Sequence, residues 1–171
     1  IYTINIENEV RGWKQLISPA PLYNDNLKIL DISKWADFNV TEDITFHSCA
    51  NLTSTATDAP TISSTSLRGM FTACPVWDGA MNSWDVSSVT DMGAMFGSAS
   101  TFNQPLNLWD VSLVTDMGGM FAGATLFNQN IGGWTTSSLT DIGSMFNNAT
   151  AFDQDIGGWD VRNLIEAAGF L

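Results

Sequence analysis

Positive charge is scarce in this sequence of 171 residues. Six Lys and Arg residues stand against 18 Asp and Glu residues, which gives a formal net charge of −12. Nucleic-acid binding depends largely on Lys and Arg side chains at phosphates, so this balance argues against a nucleic-acid partner. It disfavours an anionic membrane surface for the same reason. We therefore expect a cationic or neutral partner.

Cysteine, histidine and long apolar runs are also scarce. Two cysteines are too few for a small fold built on disulfides, and one histidine, His47, provides no Ser-His-Asp set. No apolar run reaches the roughly 18 residues that a membrane-spanning helix needs, so we expect no direct membrane insertion. No signal peptide is visible, and the first residue, Ile1, suggests a processed chain or a segment of a longer protein.

An internal repeat dominates what is present. Each repeat carries a tryptophan, then an acid, then a Met-Phe pair, and its evenly spaced tryptophans are Trp84, Trp109, Trp134 and Trp159. Self-similarity at a fixed period between ~20 and ~50 is typical of a solenoid, in which each unit buries its apolar face against its neighbours. Fainter matches continue upstream to residue 27 and indicate about six turns in all.

Local patterns predict the elements of one turn. Leu106-x-x-Trp109-x-Val111 has the spacing of a leucine-rich-repeat strand, which points Trp109 and Val111 inward and the residue between them outward. The next segment, VTDMGGMF, predicts a short helical or 3₁₀ segment that begins at Thr115 or Asp116. The predicted fold is an α/β, leucine-rich-repeat-like solenoid of short parallel strands and short helical segments.

Residues 1–26 do not follow the period. The alternation of Tyr2, Ile4 and Ile6 predicts a strand and SPAPLYNDN predicts a loop, so we expect an N-terminal cap here. The solenoid is predicted over residues 27–171, with regular repeats from about residue 60 and a truncated last repeat. That last repeat is expected to leave an apolar end that needs a cap, a following domain or a partner.

The motif FNQ-x-IGGWDVS-x-VTDM-x-x-MF-x-x-A resembles the repeat of BspA-like leucine-rich repeat proteins, a large group of bacterial surface proteins. The resemblance covers residues 27–171, although one repeat reads WTTSSLTDI instead. It implies an extracellular or cell-surface role in adhesion or protein–protein contact, often within a longer chain. The family shares no catalytic residues, so the resemblance implies none here.

The outward positions of the predicted strands form the candidate binding face. They are Asp31, Thr61, Asp85, Asp110, Thr135 and Asp160, with the serines Ser87, Ser112 and Ser137 two residues further on in three repeats. Carboxylates about 5 Å apart repel by about 1 kcal/mol in water. Such a row can bind basic side chains or sugar hydroxyls, or it can serve as a hydrated face that keeps the protein soluble. Calcium at Asp85 and Asp110 is a weaker alternative because a calcium-binding loop is missing, and we expect no other cofactor.

Other rows have a structural interpretation. The four tryptophans are expected in the core rather than in a sugar-stacking platform. A second acidic row is expected to cap helix starts; it consists of Asp91, Asp116, Asp141 and Glu166. Cys49 and Cys74 hold equivalent places in neighbouring turns, within reach of a disulfide. Because Ala holds that place downstream, we expect two free thiols in a small buried site.

The leading hypothesis is a non-catalytic interaction or adhesion module that binds an extracellular protein or a glycan through its strand face. The alternative is a structural spacer or filament subunit that contacts only neighbouring domains or subunits. A carbohydrate-active enzyme is the weakest of the three hypotheses, because pairs of carboxylates at glycosidase spacing arise by chance in any acidic row.

Overall fold

The computed structural model describes residues 2–5, 29–41 and 44–171. It contains five short strands: β1 Tyr2–Asn5, β2 Ile29–Lys34, β3 Asn39–Val40, β4 Thr53–Ser54 and β5 Thr61–Ile62. Strands β1, β2 and β4 form one parallel sheet in the order β1-β2-β4, and β3 pairs with β5 in a second parallel sheet. A strand therefore lies within the predicted N-terminal cap, while residues 6–26 of that cap lie outside the described residues.

The pairing in the first third differs from the predicted one. Asp31 pairs with Thr53, and Thr61 pairs with Asn39. The two candidate residues Asp31 and Thr61 therefore lie in different sheets and are not neighbours in one row. The physical reason is the spacing, because these two pairings join positions 22 apart in the sequence, whereas the downstream pairings join positions 25 apart.

From residue 66 onward, successive units pair in parallel through single bridges between equivalent positions. The bridged pairs are Ser66 with Asp91, Asp91 with Asp116, Asp116 with Asp141, and Asp141 with Glu166. Backbone hydrogen bonds extend the pairing: Met92 N donates to Asp116 O at 2.9 Å and Ala94 N donates to Gly118 O at 2.8 Å. The period of the sequence repeat is therefore the spacing at which one unit lies against the next. The leucine-rich-repeat class itself stays a prediction.

The segment predicted as helical is not a helix, and the described residues contain neither an α-helix nor a 3₁₀ helix. It consists of tight turns, such as those closed by Met95 N to Met92 O and by Ala99 N to Phe96 O. Ala94 and Ser98, the third residues of these turns, have positive φ angles of 52° and 59°. A right-handed helix requires negative φ throughout. A positive φ every four residues therefore ends the helix and turns N–H groups toward the next unit.

The predicted strand around Trp109 is also a pair of turns. Trp109 N donates to Leu106 O at 3.1 Å, and Val114 N donates to Val111 O at 2.9 Å. Between these turns, Asp110 Oδ1 accepts a hydrogen bond from Ser112 N at 3.0 Å. An Asp side chain that bonds the backbone two residues on favours a turn over an extended ladder. The parallel bridges consequently fall at Asp116 and its equivalents, where a helix start had been predicted.

Stacked aromatic rings fill the core. Phe46, Phe71, Phe96, Phe121 and Phe146 form one column with ring centroids 5.5–6.0 Å apart, and Phe102, Phe127 and Phe152 form a second. Within a unit the two columns touch, since Phe96 and Phe102 stack at 3.9 Å. Stacked arrangements of this kind add about 0.5–1.5 kcal/mol per pair beyond simple burial.

The four repeat tryptophans also lie inside, with relative exposures between 3% and 8%. Three of their indole N–H groups donate to a carbonyl of the preceding unit, as Trp109 Nε1 does to Met81 O at 2.8 Å. Trp134 and Trp159 stack with centroids 6.1 Å apart.

Among the described residues no helix is long and apolar enough to cross a membrane.

Candidate functional site

Two rows of carboxylates run along the stacked units. We call Asp85, Asp110, Thr135 and Asp160 the turn row, because they lie between the two turns described above. We call Asp91, Asp116, Asp141 and Glu166 the bridge row, because they form the parallel bridges. The turn row is part of the predicted binding face, whereas the bridge row is predicted only to cap the backbone.

The acids of the turn row are occupied by their own turns. Ser87 donates to Asp85 Oδ1 from its hydroxyl at 2.7 Å and from its backbone N at 3.1 Å. These bonds, hydroxyl first, hold the pKa of Asp85 below its usual value against the smaller opposing effects of burial and of Asp110. The pKa of Asp110 is lowered in the same way by Ser112. Each acid therefore already has a local hydrogen-bonding role.

Arg162 neutralises the charge of Asp160 at the end of the turn row. Arg162 donates from Nε to Asp160 Oδ1 at 2.9 Å and from Nη2 to Asp160 Oδ2 at 2.7 Å. This pairing lowers the pKa of Asp160 to about 2. Thr135 interrupts the row with an uncharged side chain. The turn row therefore presents two adjacent exposed acids, Asp85 and Asp110, rather than a continuous acidic face.

The remaining predicted residues are dispersed. Asp31 accepts hydrogen bonds from the backbone N and the hydroxyl of Thr55, both at 3.0 Å. The carbonyl of Ser112 accepts from the Ser138 hydroxyl at 2.6 Å, and the carbonyl of Ser137 accepts from Asn163. Ser112 and Ser137 therefore help to join neighbouring units through their backbones, and the nine predicted residues do not form one row.

The bridge row combines backbone capping with close contact between units. Asp116 Oδ1 accepts from Gly118 N at 2.8 Å, and Asp141 Oδ1 accepts from Gly143 N at 2.8 Å. These acids cap turns, not the predicted helix starts. A Cβ placed on Gly118 would lie 3.2 Å from Asp116 Oδ1 and 3.1 Å from Asp141 Oδ1. A side chain at this position would therefore crowd the carboxylates of two successive units, and we call the place over such a glycine, between the two carboxylates, a slot.

Arg68 fills the first of these slots. Its Nε donates to Asp91 Oδ2 at 2.8 Å, and its Nη2 donates to Asp116 Oδ2. The guanidinium lies directly over Gly93, where an added Cβ would come within 2.4 Å of Cζ. The hydrogen bond to Asp91, followed by the charges of Asp91 and Asp116, raises the pKa of Arg68 against burial. Gly93 is therefore required for this bridge, because any side chain there would displace the guanidinium.

The following slots have the same walls, but among the described residues they hold no ion pair. Gly118 lies between Asp116 and Asp141, and Gly143 lies between Asp141 and Glu166. Among the described residues, no cationic group lies within ion-pair distance of Asp141 or Glu166. One signal in the sequence could have revealed this site: the positions that correspond to Arg68 in later units, 93, 118 and 143, are all glycine.

Metal binding finds little support at either row. Within the described part of the chain, no three His, Cys, Asp or Glu side chains converge closely enough to hold a metal ion. Calcium prefers six to eight oxygen ligands, and Asp85 with Asp110 supplies too few. The His47 imidazole bonds to the neighbouring hydroxyl of Ser48 at 2.8 Å, and no hydrogen bond of the described residues joins it to an acid.

Comparison with known proteins yields one match. The model of a family described as Mycoplasma proteins of unknown function, DUF285, matches residues 65–171, which is more than half of the chain. No curated protein and no solved structure matches this chain. The matched region begins where the regular pairing of units begins and contains both carboxylate rows. The chain belongs to the DUF285 family.

Proposed function

We propose that this protein is a non-catalytic interaction or adhesion module of a BspA-like, leucine-rich-repeat surface protein, and that it binds an arginine-containing segment of an extracellular protein. The binding site is the bridge row over Gly118 and Gly143. The single observation that carries the proposal is Arg68, whose guanidinium spans two carboxylates of successive units over a glycine. The family match is compatible with a repeat-type surface protein.

The chemistry favours arginine over lysine. A guanidinium is planar and donates two parallel hydrogen bonds, whereas an ammonium acts as a compact point charge. Two carboxylates from neighbouring units, each fixed by a glycine N–H, offer acceptors at a set separation. The net charge of −12 adds long-range attraction for a basic partner.

The test compares two double variants that remove the same charge. Asp141→Asn with Glu166→Gln alters the bridge row, and Asp85→Asn with Asp110→Asn alters the turn row as a matched control. Binding of a labelled tetra-arginine peptide and of a tetra-lysine peptide is measured by fluorescence anisotropy at two salt concentrations. We expect the bridge-row variant to lose about tenfold in affinity for the arginine peptide, which corresponds to about 1.4 kcal/mol, and the control to lose less than twofold.

Three results would contradict the proposal. Equal losses in both double variants would indicate non-specific charge attraction. Equal affinity for the two peptides would remove the role of the planar guanidinium. Binding to a neutral glycan array without any binding to the arginine peptide would replace the protein partner with a glycan. We expect no hydrolysis of the same glycans, since the module is proposed to be non-catalytic.

The alternative function is a structural spacer or filament subunit. The regular stacking of the units favours it, because each unit from residue 66 onward is held to the next by equivalent backbone bridges and hydrogen bonds. Sedimentation at increasing concentration tests this alternative, and a monomer at every concentration would argue against end-to-end assembly.

A further inference from the structure

The two cysteines of the chain face each other across neighbouring units. Cys49 and Cys74 hold equivalent positions in successive units, and both are almost completely buried. Backbone hydrogen bonds join the two segments on the N-terminal side of each cysteine: Phe46 N donates to Met70 O at 2.7 Å and Ser48 N to Thr72 O at 2.8 Å. Units paired in this way place equivalent α-carbons about 5 Å apart, inside the roughly 4.4–6.8 Å range of disulfides.

The Cys74 thiol donates to Phe46 O at 2.9 Å, so it points toward the unit that carries Cys49. The nearby Cys74 side chain lowers the pKa of Cys49, and burial opposes this effect. The nearby Cys49 side chain, together with burial, raises the pKa of Cys74. Cys49 is therefore the sulfur that ionises first, and the Cys74 sulfur lies against it as the second partner. A thiolate beside a second thiol is the arrangement from which disulfide exchange proceeds.

We propose that Cys49 and Cys74 form a site for a reversible internal disulfide. This disulfide joins the unit of Phe46 to the unit of Phe71 when the protein meets an oxidising small-molecule disulfide. The Cys49 thiolate attacks one sulfur of that reagent and displaces one thiolate. The Cys74 sulfur then attacks Cys49 and displaces the second sulfur of the reagent, and the proton of Cys74 passes to that leaving thiolate. Two protein thiols are oxidised, and one external disulfide is reduced to two thiols.

The bond would act on the least regular part of the stack. Downstream of residue 66 each unit is held by the same bridges and by continuous phenylalanine columns. Upstream, the β2–β4 and β3–β5 pairings follow a shorter spacing than the repeat, and the sheets include strands of only two residues. A covalent link between Cys49 and Cys74 therefore stabilises the junction between these two regions.

The experiment treats the full chain, in native buffer, with oxidised glutathione. We expect intact mass spectrometry to show the loss of two hydrogens, peptide mapping to show one Cys49–Cys74 link, and the melting temperature to rise by about 10 °C, as expected for a closed loop of this length. The single variants Cys49→Ala and Cys74→Ala serve as controls. Alanine occupies this position downstream at Ala99 and Ala124, fully buried, so both variants are expected to fold and to show no such rise.

Each alternative result overturns the proposal. A stable glutathione adduct on the wild-type chain would show that the second sulfur does not reach the first. A link between two chains would show an intermolecular pair instead. Unreacted thiols in native buffer, when the same chain in denaturant reacts fully, would show that burial prevents exchange. Reduction by dithiothreitol must also return the melting temperature to its original value.

Discussion

Gly119 and Ala94 occupy the same position in adjacent units, and their exchange gives the strongest test of the backbone geometry. Both residues have positive φ, 63° for Gly119 and 52° for Ala94. A side chain in this left-handed region costs about 1–2 kcal/mol, whereas glycine adopts it freely. Ala94 therefore carries a strain that Gly119 does not, although the two backbones make equivalent hydrogen bonds to the next unit, to Gly118 O and to Gly143 O.

The two substitutions are expected to have opposite signs. Gly119→Ala should destabilise the protein, since a Cβ there meets nothing closer than 4.0 Å and only the φ angle opposes it. Alanine also restricts the unfolded chain, which offsets about 0.4–1 kcal/mol of the strain. We therefore expect a net loss of about 0.5–1 kcal/mol for Gly119→Ala and a gain of similar size for Ala94→Gly.

Differential scanning calorimetry measures both changes, at roughly 2–4 °C per kcal/mol for a chain of this size. Two control variants separate the φ effect from general effects of glycine. Gly133→Ala has open space and no positive φ, so it should stabilise slightly. Ala122→Gly, at a half-buried residue without positive φ, should destabilise. If Ala94→Gly lowers the melting temperature as Ala122→Gly does, the turn geometry argued above is wrong.

Two further predictions concern single side chains. Trp109→Phe removes one of two hydrogen bonds to the Met81 carbonyl, which keeps the bond from Trp84 N, whereas Trp84→Phe removes a buried indole N–H that has no partner in the described structure. Urea unfolding should therefore show a loss larger by about 1–3 kcal/mol for Trp109→Phe, and equal losses would contradict the role of the indole bond. Burial raises the pKa of Asp58, but hydrogen bonds from the two backbone N–H groups that follow β2 lower it more. The stability that the Asp58 carboxylate adds is present above its unfolded pKa of about 3.9 and is lost as pH falls through the lower folded pKa. Below about pH 4 the wild type should therefore progressively lose its melting-temperature advantage over Asp58→Asn. An advantage that stays constant as pH falls there would contradict this role of Asp58.

The side-chain pattern predicted the spacing of the units and the residues between them. Aromatic and sulfur side chains that recur at a constant period must lie on equivalent points of successive units, and apolar side chains at such points bury one another. The phenylalanine columns and the buried tryptophans follow from this argument alone. This conclusion does not depend on which backbone segment forms the hydrogen bonds between units.

The position of the backbone ladder could not be predicted in the same way. The alternation at Trp109 and Val111 fits a strand. Both residues also fit the ends of tight turns, from which their side chains point inward. The choice depends on Asp110, whose side chain satisfies a turn N–H, and on positive φ angles four residues apart at Ala94 and Ser98. Glycine is the usual signal for positive φ, and alanine and serine conceal it in that unit.

The sequence pattern predicts only a capping role for the bridge row. The stacking of the units gives the row a second property. An acid that accepts the N–H of a glycine two residues on has a structural role, as Asp141 has with Gly143. Stacking at a fixed period, however, repeats that role in every unit and so brings the carboxylates together into a row. Neighbouring charges then repel by about 1 kcal/mol in water, and more where solvent is partly excluded. Among the described residues, Arg68 offsets this repulsion at one end of the row. The stacking that builds the core therefore also concentrates negative charge at Asp141 and Glu166, and a guanidinium from a partner would relieve it there as Arg68 does within the chain.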